Sequence, residues 1–305
     1  MAGEGPGSRY SAGMAIQATL YTDSACPWAY SATPSMTTLR WRYRDQIEWR
    51  LVMIGLREDT AGQAASGYSP ARQSLGSRRF RDRYGMPFTA TPRPRLLATG
   101  RACRAIVATR LAQPGREFAA QRALAFAWFN GPWLLDEDAG LAAALESVAG
   151  IDAAAIVAAI ESDAVREAYE LERAEARSAA DGPTDFQGKA AVSDGLVRFT
   201  APSVTFEAGD RRLEVGGFQP LEAYDVAVAN LDTSLTRHLP PDGPLELLEH
   251  FPEGLCTQEV AVMLAGNLVE VDRTAAEDAL IGLVAEGRAT RTPLGGDALW
   301  RPAAA

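Results

Sequence analysis

The chain has 305 residues, of which 47% are hydrophobic and 23% are charged, and its formal net charge is −9. This length allows a sizeable core and more than one domain, while the acidic excess argues against nucleic acid or an anionic membrane as a general partner. No run of about 18 apolar residues occurs, so no membrane-spanning helix is predicted. The three cysteines, Cys26, Cys103 and Cys256, show neither a disulfide framework nor a zinc-binding spacing.

The N-terminal residues 1–14 are rich in Gly and Ser and contain no apolar segment of the kind found in a secretion signal. We therefore expect a disordered lead and a cytoplasmic location. A reducing compartment also suits three cysteines that show no pairing pattern.

The first predicted unit is strand, helix, strand. Residues 16–21 form a short apolar run that ends at the turn cluster 22–24, residues 27–43 have a helical pattern, and residues 47–54 form a second strand. Residues 67–94 are rich in Arg, Pro and Gly, and we expect an irregular loop with short helical pieces there.

The middle of the chain, from about residue 96 to 180, is predicted to be helical because apolar residues recur at spacings of three and four. Two strands follow at 203–207 and 212–215, on either side of an Ala-Gly-Asp-Arg turn. A helix is predicted over 220–230. The order β-α-β, helices, β-β-α predicts an α/β fold that is interrupted by an all-helical segment.

Cys26 stands where the first strand gives way to the first helix, in the sequence Cys-Pro-Trp-Ala-Tyr. Unpaired N–H groups and the positive end of the helix dipole favour a thiolate there, so we expect a pKa below the free value of about 8.5. Pro27 suits the first helical turn because its missing N–H would be unpaired in any case. Far along the chain, Pro202 opens the second pair of strands and could face Cys26.

These residues resemble the DsbA family of thioredoxin-like proteins, in particular its cytoplasmic FrnE-like oxidoreductases, and the related 2-hydroxychromene-2-carboxylate isomerases and kappa-class glutathione transferases. In that family a Cys-Pro-Trp-Cys motif begins the first helix, a helical domain interrupts the thioredoxin fold, and a cis-proline precedes the third strand. The matching residues here are Cys26–Trp28, Pro202 and the segment 216–220.

The resemblance covers residues 15–231. It implies a thioredoxin-like domain over 15–95 and 190–232 and an inserted helical domain over 96–189. It also implies that Cys26 is catalytic. We expect the residues around Cys26 and Pro202 to bind a substrate or thiol, with plain packing as the alternative for Trp28 and Tyr30: Pro27, Trp28, Tyr30, Ala201, Pro202 and Ser203.

Ala29 replaces the second cysteine of the family motif. Because a dithiol enzyme resolves its mixed disulfide with that second thiol, dithiol exchange within this one motif is excluded. Three functions stay open. Cys26 could act as a monothiol in thiol–disulfide exchange, the site could use a thiol cofactor such as glutathione or mycothiol for transfer or isomerisation, or the fold could be an inactive binding scaffold. No covalently bound cofactor is expected.

Other candidate residues have simpler interpretations. Cys103 lies in an apolar helical pattern and is expected to be a small buried side chain, although a resolving role stays open. The only histidines, His238 and His250, have no metal-like spacing, and no metal site is predicted. Four arginines could form a basic rim for an anionic thiol or a protein, or could simply be solvated: Arg93, Arg95, Arg101 and Arg104.

Residues 242–302 predict a small separate unit of three helices and a two-stranded hairpin, which resembles a winged helix-turn-helix. From residue 233 to 305 there are five arginines and eleven acidic residues, a net charge of 5 − 11 = −6. Its third helix would be repelled by phosphates, which argues against DNA binding. We therefore expect a protein contact or a homodimer interface.

Overall fold

The computed structural model describes residues 15–303, so the predicted disordered lead at 1–14 lies outside the described residues. Nine strands are present in this range: β1 (Ile16–Thr22), β2 (Ile47–Met53), β3 (Ala191–Ser193), β4 (Leu196–Arg198), β5 (Ser203–Ala208), β6 (Arg211–Val215), β7 (Leu255–Cys256), β8 (Ala289–Leu294) and β9 (Asp297–Pro302). The α-helices of the same range are α1 (Pro27–Ser31), α2 (Thr33–Tyr43), α3 (Ala61–Ala65), α4 (Pro70–Tyr84), α5 (Gly100–Ala112), α6 (Glu117–Asn130), α7 (Asp138–Leu145), α8 (Ala153–Ala159), α9 (Asp163–Ala176), α10 (Pro183–Phe186), α11 (Leu221–Leu231), α12 (Pro244–His250), α13 (Thr257–Ala265) and α14 (Arg273–Ala285).

A four-stranded sheet with the order β2-β1-β5-β6 is the centre of the α/β unit. β1 and β2 are parallel, whereas β5 is antiparallel to both β1 and β6. Alternate residues of β1, Ile16 and Ala18, are buried in one core with Leu39 of α2 and Tyr224 of α11. The predicted α/β class, a thioredoxin-like fold with a helical insertion, is confirmed.

Helices α5 to α9 lie between β2 and β5 in the chain and form a core against the end of β2. Leu51 and Met53 of β2 are completely buried in this core, together with Leu124 of α6. Thr22, at the end of β1, lies opposite Met53 in the parallel register. The helical insertion therefore covers the end of the sheet from which the chain continues to Cys26.

The prediction of an irregular loop over 67–94 is wrong for most of its length, because α4 is a regular helix of 15 residues. The Ser69 side chain caps it by accepting from the N–H of Arg72 at 3.2 Å, and Pro70 occupies the first turn. Gly85 ends it with a left-handed φ of 77°. These end signals define the helix although it buries none of its residues.

The single helix predicted over 27–43 is divided in two at Ala32. Pro34 lacks the N–H that would donate to the carbonyl of Tyr30 in a continuous helix, so the ladder is interrupted at this point. As a result, α1 contains only five residues.

The C-terminal elements α12 to β9 include a sheet with the order β7-β9-β8. The predicted helices and hairpin are present, and β7 is an additional strand. Trp300 and Leu280 share a core with Trp41 of α2, whose Nε1 donates to the carbonyl of Leu239 at 2.9 Å. The region is thus packed on α2 rather than separate, and its identification as a winged helix stays a prediction.

Candidate functional site

A tight turn joins β1 to α1 and places Cys26 at the start of the helix. The carbonyl of Asp23 accepts from the N–H of Cys26 at 3.0 Å, and its Oδ1 accepts from the N–H of Ala25 at 2.9 Å. Cys26 has extended backbone angles (φ −84°, ψ 115°), and Pro27 begins the helix. The local sequence therefore fixes the position of the sulfur relative to the sheet.

The loop before β5 faces Cys26 across the site. The Ala201–Pro202 peptide bond is cis, and the Cys26 thiol donates to the carbonyl of Ala201 at 3.1 Å. Ser203 is buried, and its Oγ accepts from the N–H of Gly217 at 3.1 Å, which anchors the loop to the segment after β6. The structure therefore brings Cys26 to the backbone of Ala201 and Pro202, while Ser203 stabilises that backbone.

Burial dominates the protonation of Cys26. Its side chain is 6% exposed and lies in an apolar cluster with Ile54 and Phe199. Desolvation raises the pKa of Cys26 to about 11, and the backbone N–H groups of Ala29 and Trp28 offset only part of that rise. The expected lowering of the pKa is wrong, because α1 is short and tertiary packing removes the water that would solvate a thiolate.

Asp23 is a buried carboxylate beside the thiol, and its charge adds to burial in raising the pKa of Cys26. Its Oδ2 accepts from the N–H of Leu56 at 2.9 Å and from the Thr99 hydroxyl at 3.0 Å. The Cys103 thiol donates to the same oxygen at 3.5 Å and is completely buried, which raises its pKa well above the ordinary value. Cys103 is thus near the site but held as a protonated, packed side chain.

Trp28 and Tyr30 were both predicted to bind substrate, but one side chain is exposed and the other is buried. Trp28 is 44% exposed, and its ring meets Phe80 edge-on with centroids 4.8 Å apart. Tyr30 is buried, stacks on Phe129 at 4.6 Å, and accepts a hydrogen bond from the side chain of Asn130 at 3.0 Å. Trp28 is therefore available to a partner, whereas Tyr30 belongs to the core beneath α1.

A cleft of about 430 Å³ adjoins the apolar cluster of Cys26 through Leu56. Arg57 lines it, and the Nε of Arg57 is buried without a hydrogen-bond partner among the described residues. Although burial raises the pKa of Cys26, the Arg57 charge acts in the opposite direction. Arg57 was not singled out in the sequence because it belongs to no motif and reaches the site only through the fold.

The four arginines that could form a basic rim, Arg93, Arg95, Arg101 and Arg104, are not free cations in the structure. Arg95 pairs with Asp136 and Glu137, and Arg101 and Arg104 both pair with Glu161. The Arg93 guanidinium donates instead to backbone carbonyls of α6. These side chains therefore form ion pairs and backbone hydrogen bonds within the protein, rather than either a free basic rim or a merely solvated face.

Two kinds of feature are absent between residues 15 and 303. No group of three or more His, Cys, Asp and Glu side chains is arranged to hold a metal ion. None of the helices there is both long and apolar enough to cross a membrane.

The buried thiol predicts a steep pH dependence. Because only the thiolate reacts, alkylation of Cys26 by iodoacetamide should rise about tenfold per pH unit between pH 7 and 10 and level off near the pKa of about 11. Mass spectrometry of the alkylated peptides measures this rate, with the completely buried Cys103 and Cys256 as slower internal controls. A plateau below pH 9 would contradict the effect of burial.

Comparison with solved structures shows likeness of fold over most of the chain. A Nitrosomonas europaea protein provisionally classified as a protein disulfide isomerase is 18% identical, with a TM-score of 0.52, and the match covers 71% of this chain and 97% of that one. A Streptomyces coelicolor protein provisionally classified as a DsbA oxidoreductase is 20% identical, with a TM-score of 0.50 and coverages of 72% and 92%. The cytosolic disulfide reductase DsbM from Pseudomonas aeruginosa is 16% identical, with a TM-score of 0.49 and coverages of 71% and 97%.

No curated protein sequence is similar enough to this chain to count as a relative. The model of the DSBA-like thioredoxin domain family, however, matches residues 17–180, which is more than half of the chain. The matched range contains Cys26 and most of the helical insertion. The chain therefore belongs to the family of DSBA-like thioredoxin domains.

Proposed function

We propose that this protein catalyses thiol–disulfide exchange with Cys26 as its single nucleophile. The observation that carries the proposal is the 3.1 Å contact between the Cys26 sulfur and the carbonyl of Ala201, beside Pro202. A disulfide substrate lying along the backbone of this loop would present its sulfur atoms to Cys26. The three free cysteines suit a reducing compartment, so a cytoplasmic location is part of the proposal.

The exchange proceeds in two balanced steps. The Cys26 thiolate, whose proton has gone to solvent, attacks one sulfur of the substrate disulfide, and the other sulfur leaves as a thiolate. The thiolate of a low-molecular-weight thiol, of the glutathione or mycothiol class, then attacks the mixed disulfide and releases Cys26. An external thiol is required because Ala29 cannot take part in the second step.

For a second thiol that bears carboxylates, such as glutathione, we place the binding site in the cleft beside Leu56. It adjoins the Cys26 cluster, and the Arg57 guanidinium supplies a cation of the kind that recognises carboxylates. A carboxylate-bearing thiol bound here would also lower the free energy cost of leaving the buried Arg57 Nε unpaired.

The buried state of Cys26 makes the exchange slow but does not prevent it. With its pKa raised by about 2, to about 11, the thiolate population of Cys26 at neutral pH falls about 100-fold. A more basic thiolate is a better nucleophile, by about tenfold over this interval. The net reduction in rate is therefore about tenfold, provided that a substrate can displace the contact with Ala201.

A binding scaffold is the second candidate, and the buried, protonated state of Cys26 is the observation that favours it. Thiol-cofactor transfer or isomerisation stays the third. We expect the exposed acidic surface of the C-terminal region to contact a protein, with a homodimer as one form of that contact. Neither the scaffold nor the protein contact requires the sulfur of Cys26.

Mapping of mixed disulfides tests the proposal directly. Incubation with glutathione disulfide should add one glutathione to Cys26, and reduced glutathione should remove it, as followed by intact mass and peptide mapping. The other two cysteines, both completely buried, serve as internal controls. Absence of the adduct on Cys26 at pH 9, under conditions that modify a free cysteine peptide, would favour the scaffold.

Placing a cysteine at position 29, where the family motif has its second thiol, is expected to give the protein dithiol exchange activity. In Ala29→Cys the new sulfur would lie near Cys26, because the N–H of Ala29 already approaches the Cys26 sulfur. After oxidation by glutathione disulfide, which is itself reduced to two glutathione thiols, we expect an intramolecular disulfide, visible as a loss of two mass units. With a dithiol reductant, insulin reduction should be at least tenfold faster than in the parent. Ala32→Cys, one helical turn further from Cys26, is the matched control and should form no such bond.

A further inference from the structure

A second cleft, of about 550 Å³, lies between α6, the turn after α7 and β9. We call it the α6 cleft. Its volume is within the range of about 300 to 1,000 Å³ that small-molecule sites occupy, and such sites often lie where two regions of a chain meet. Neither Cys26 nor Arg57 lines it. The residues on which the argument rests are Arg116, Ala123, Phe126, Val148, Leu299 and Arg301.

Two guanidinium groups of the α6 cleft have no acidic partner in the described part of the chain. Arg116 donates to a backbone carbonyl of the turn after α7, and Arg301 Nε donates to the carbonyl of Glu253 at 3.1 Å. Among residues 15–303, neither forms an ion pair, whereas Arg122 beside them is balanced by Glu259. A guanidinium has five N–H donors, so each of the two unpaired groups keeps several for a ligand.

An arginine without an acidic partner is unusual within the helical insertion, to which Arg116 belongs. The other cationic side chains of the insertion mostly meet carboxylates, as in the pairs of Arg101, Arg104, Arg110 and Arg173. The whole chain carries a net charge of −9. Two guanidinium groups without acidic partners in one cleft are therefore unusual in this acidic protein. Glu253 is the single acidic residue among those lining the cleft, and it is exposed.

The remaining wall is apolar. Ala123, Phe126 and Leu299 are each 8% exposed, and Val148 closes the side formed by the turn after α7. An apolar wall with two guanidinium groups matches a ligand that has an apolar body and one anionic head. We propose that the α6 cleft binds a small amphipathic organic anion, whose carboxylate or phosphate lies between Arg116 and Arg301.

Calorimetric titration of the full chain with octanoate tests the site, and octyl phosphate tests whether a phosphate head is accepted equally. Arg116→Gln and Arg301→Gln should each weaken octanoate binding about tenfold, the usual loss for a charge-assisted hydrogen bond. Arg166→Gln is the matched control, because Arg166 is exposed on the same insertion and, among residues 15–303, its guanidinium bonds only the carbonyl of Glu161. Val148→Trp, which fills the cleft without changing charge, should abolish binding.

Neutral octanol, which has the same chain without the charge, should bind at least tenfold more weakly than octanoate. The proposal is overturned if octanoate does not saturate, if octanol binds equally well, or if Arg116→Gln and Arg301→Gln bind like Arg166→Gln. Cys26→Ser should bind octanoate as tightly as the parent, so this result is independent of the exchange activity.

Discussion

Replacement of Cys26 by serine is expected to reduce thiol–disulfide exchange at least about 100-fold, because no other thiol can form the mixed disulfide at this site. The serine hydroxyl has nearly the same size and can donate to the carbonyl of Ala201 as the thiol does. The free energy of unfolding should therefore change by less than about 1 kcal/mol. Glutathione-coupled reduction of a disulfide peptide measures the activity, and urea unfolding measures the stability.

Cysteine replacements outside the motif separate this effect from a general loss of thiols. Cys103→Ser keeps a donor for Asp23, and Cys256→Ala removes a completely buried thiol from the same core, away from the apolar cluster of Cys26, so both variants should retain exchange. If Cys26→Ser retained more than a tenth of the parent activity, Cys26 would not be the nucleophile. If parent and variant were both inactive but bound the same partner, the scaffold would be the better description.

The position of Cys26 was predictable from the sequence because it depends on local signals. The apolar run of β1, the turn at Asp23 and the proline after Cys26 are neighbours in the chain, and each acts through backbone geometry. The β5–β6 hairpin was predictable for the same reason, since Gly209 adopts the positive φ that its tight turn requires.

The protonation state of Cys26 was not predictable in this way. Local reasoning about a helix start indicates a low pKa, but the side chains that bury the sulfur come from distant segments, among them Ile54 and Phe199. The carbonyl that accepts its hydrogen bond is 175 residues away. Desolvation by such contacts raises the pKa of Cys26 more than the backbone N–H groups of the five-residue helix α1 lower it. No spacing in the sequence indicates these contacts.

The missed helix α4 and the missed β3–β4 hairpin have a different cause. Ser69, Pro70 and Gly85 are ordinary end signals, and Asp194 and Gly195 both adopt the positive φ of a tight hairpin turn. These signals were present in the sequence, but the Arg- and Gly-rich composition around α4 masked its ends. Composition is therefore weaker evidence for an irregular loop than capping residues are for a helix.

The largest change in stability is expected from breaking the ion pair between Arg122 of α6 and Glu259 of α13. Glu259 is completely buried, and both of its oxygens accept from the Arg122 guanidinium, at 2.6 and 2.5 Å. It also accepts from the Thr37 hydroxyl and from the N–H of Cys256, each at 2.9 Å. One carboxylate thus joins the C-terminal region to α2 and to the helical insertion.

Glu259→Gln should lower the free energy of unfolding by about 3 to 5 kcal/mol, because it leaves the largely buried Arg122 charge without a carboxylate partner. Urea unfolding followed by the fluorescence of Trp41 and Trp300 reports on this interface, since both lie in the C-terminal core. The control is Arg95→Gln, which breaks a surface pair and should cost less than about 1 kcal/mol.

A double variant shows whether the loss comes from the uncompensated charge. Arg122→Met combined with Glu259→Leu removes both charges and keeps apolar volume, so it should recover part of the stability that Glu259→Gln loses. A double variant less stable than Glu259→Gln would mean that the hydrogen bonds to Thr37 and Cys256, rather than the charge, hold the interface.

Acid should weaken the same interface in a defined pH range. Burial alone would raise the pKa of Glu259, but the Arg122 charge and the hydrogen bonds to the carboxylate hold it below its ordinary value of about 4.3. The stabilisation is then fully present above that unfolded-state value and is lost as pH falls through the lower folded-state pKa. The difference in unfolding free energy between the parent and Glu259→Gln should stay constant from pH 7 to about pH 5 and shrink at lower pH. A difference that shrinks already above pH 6 would mean that the carboxylate is not stabilised in its charged form.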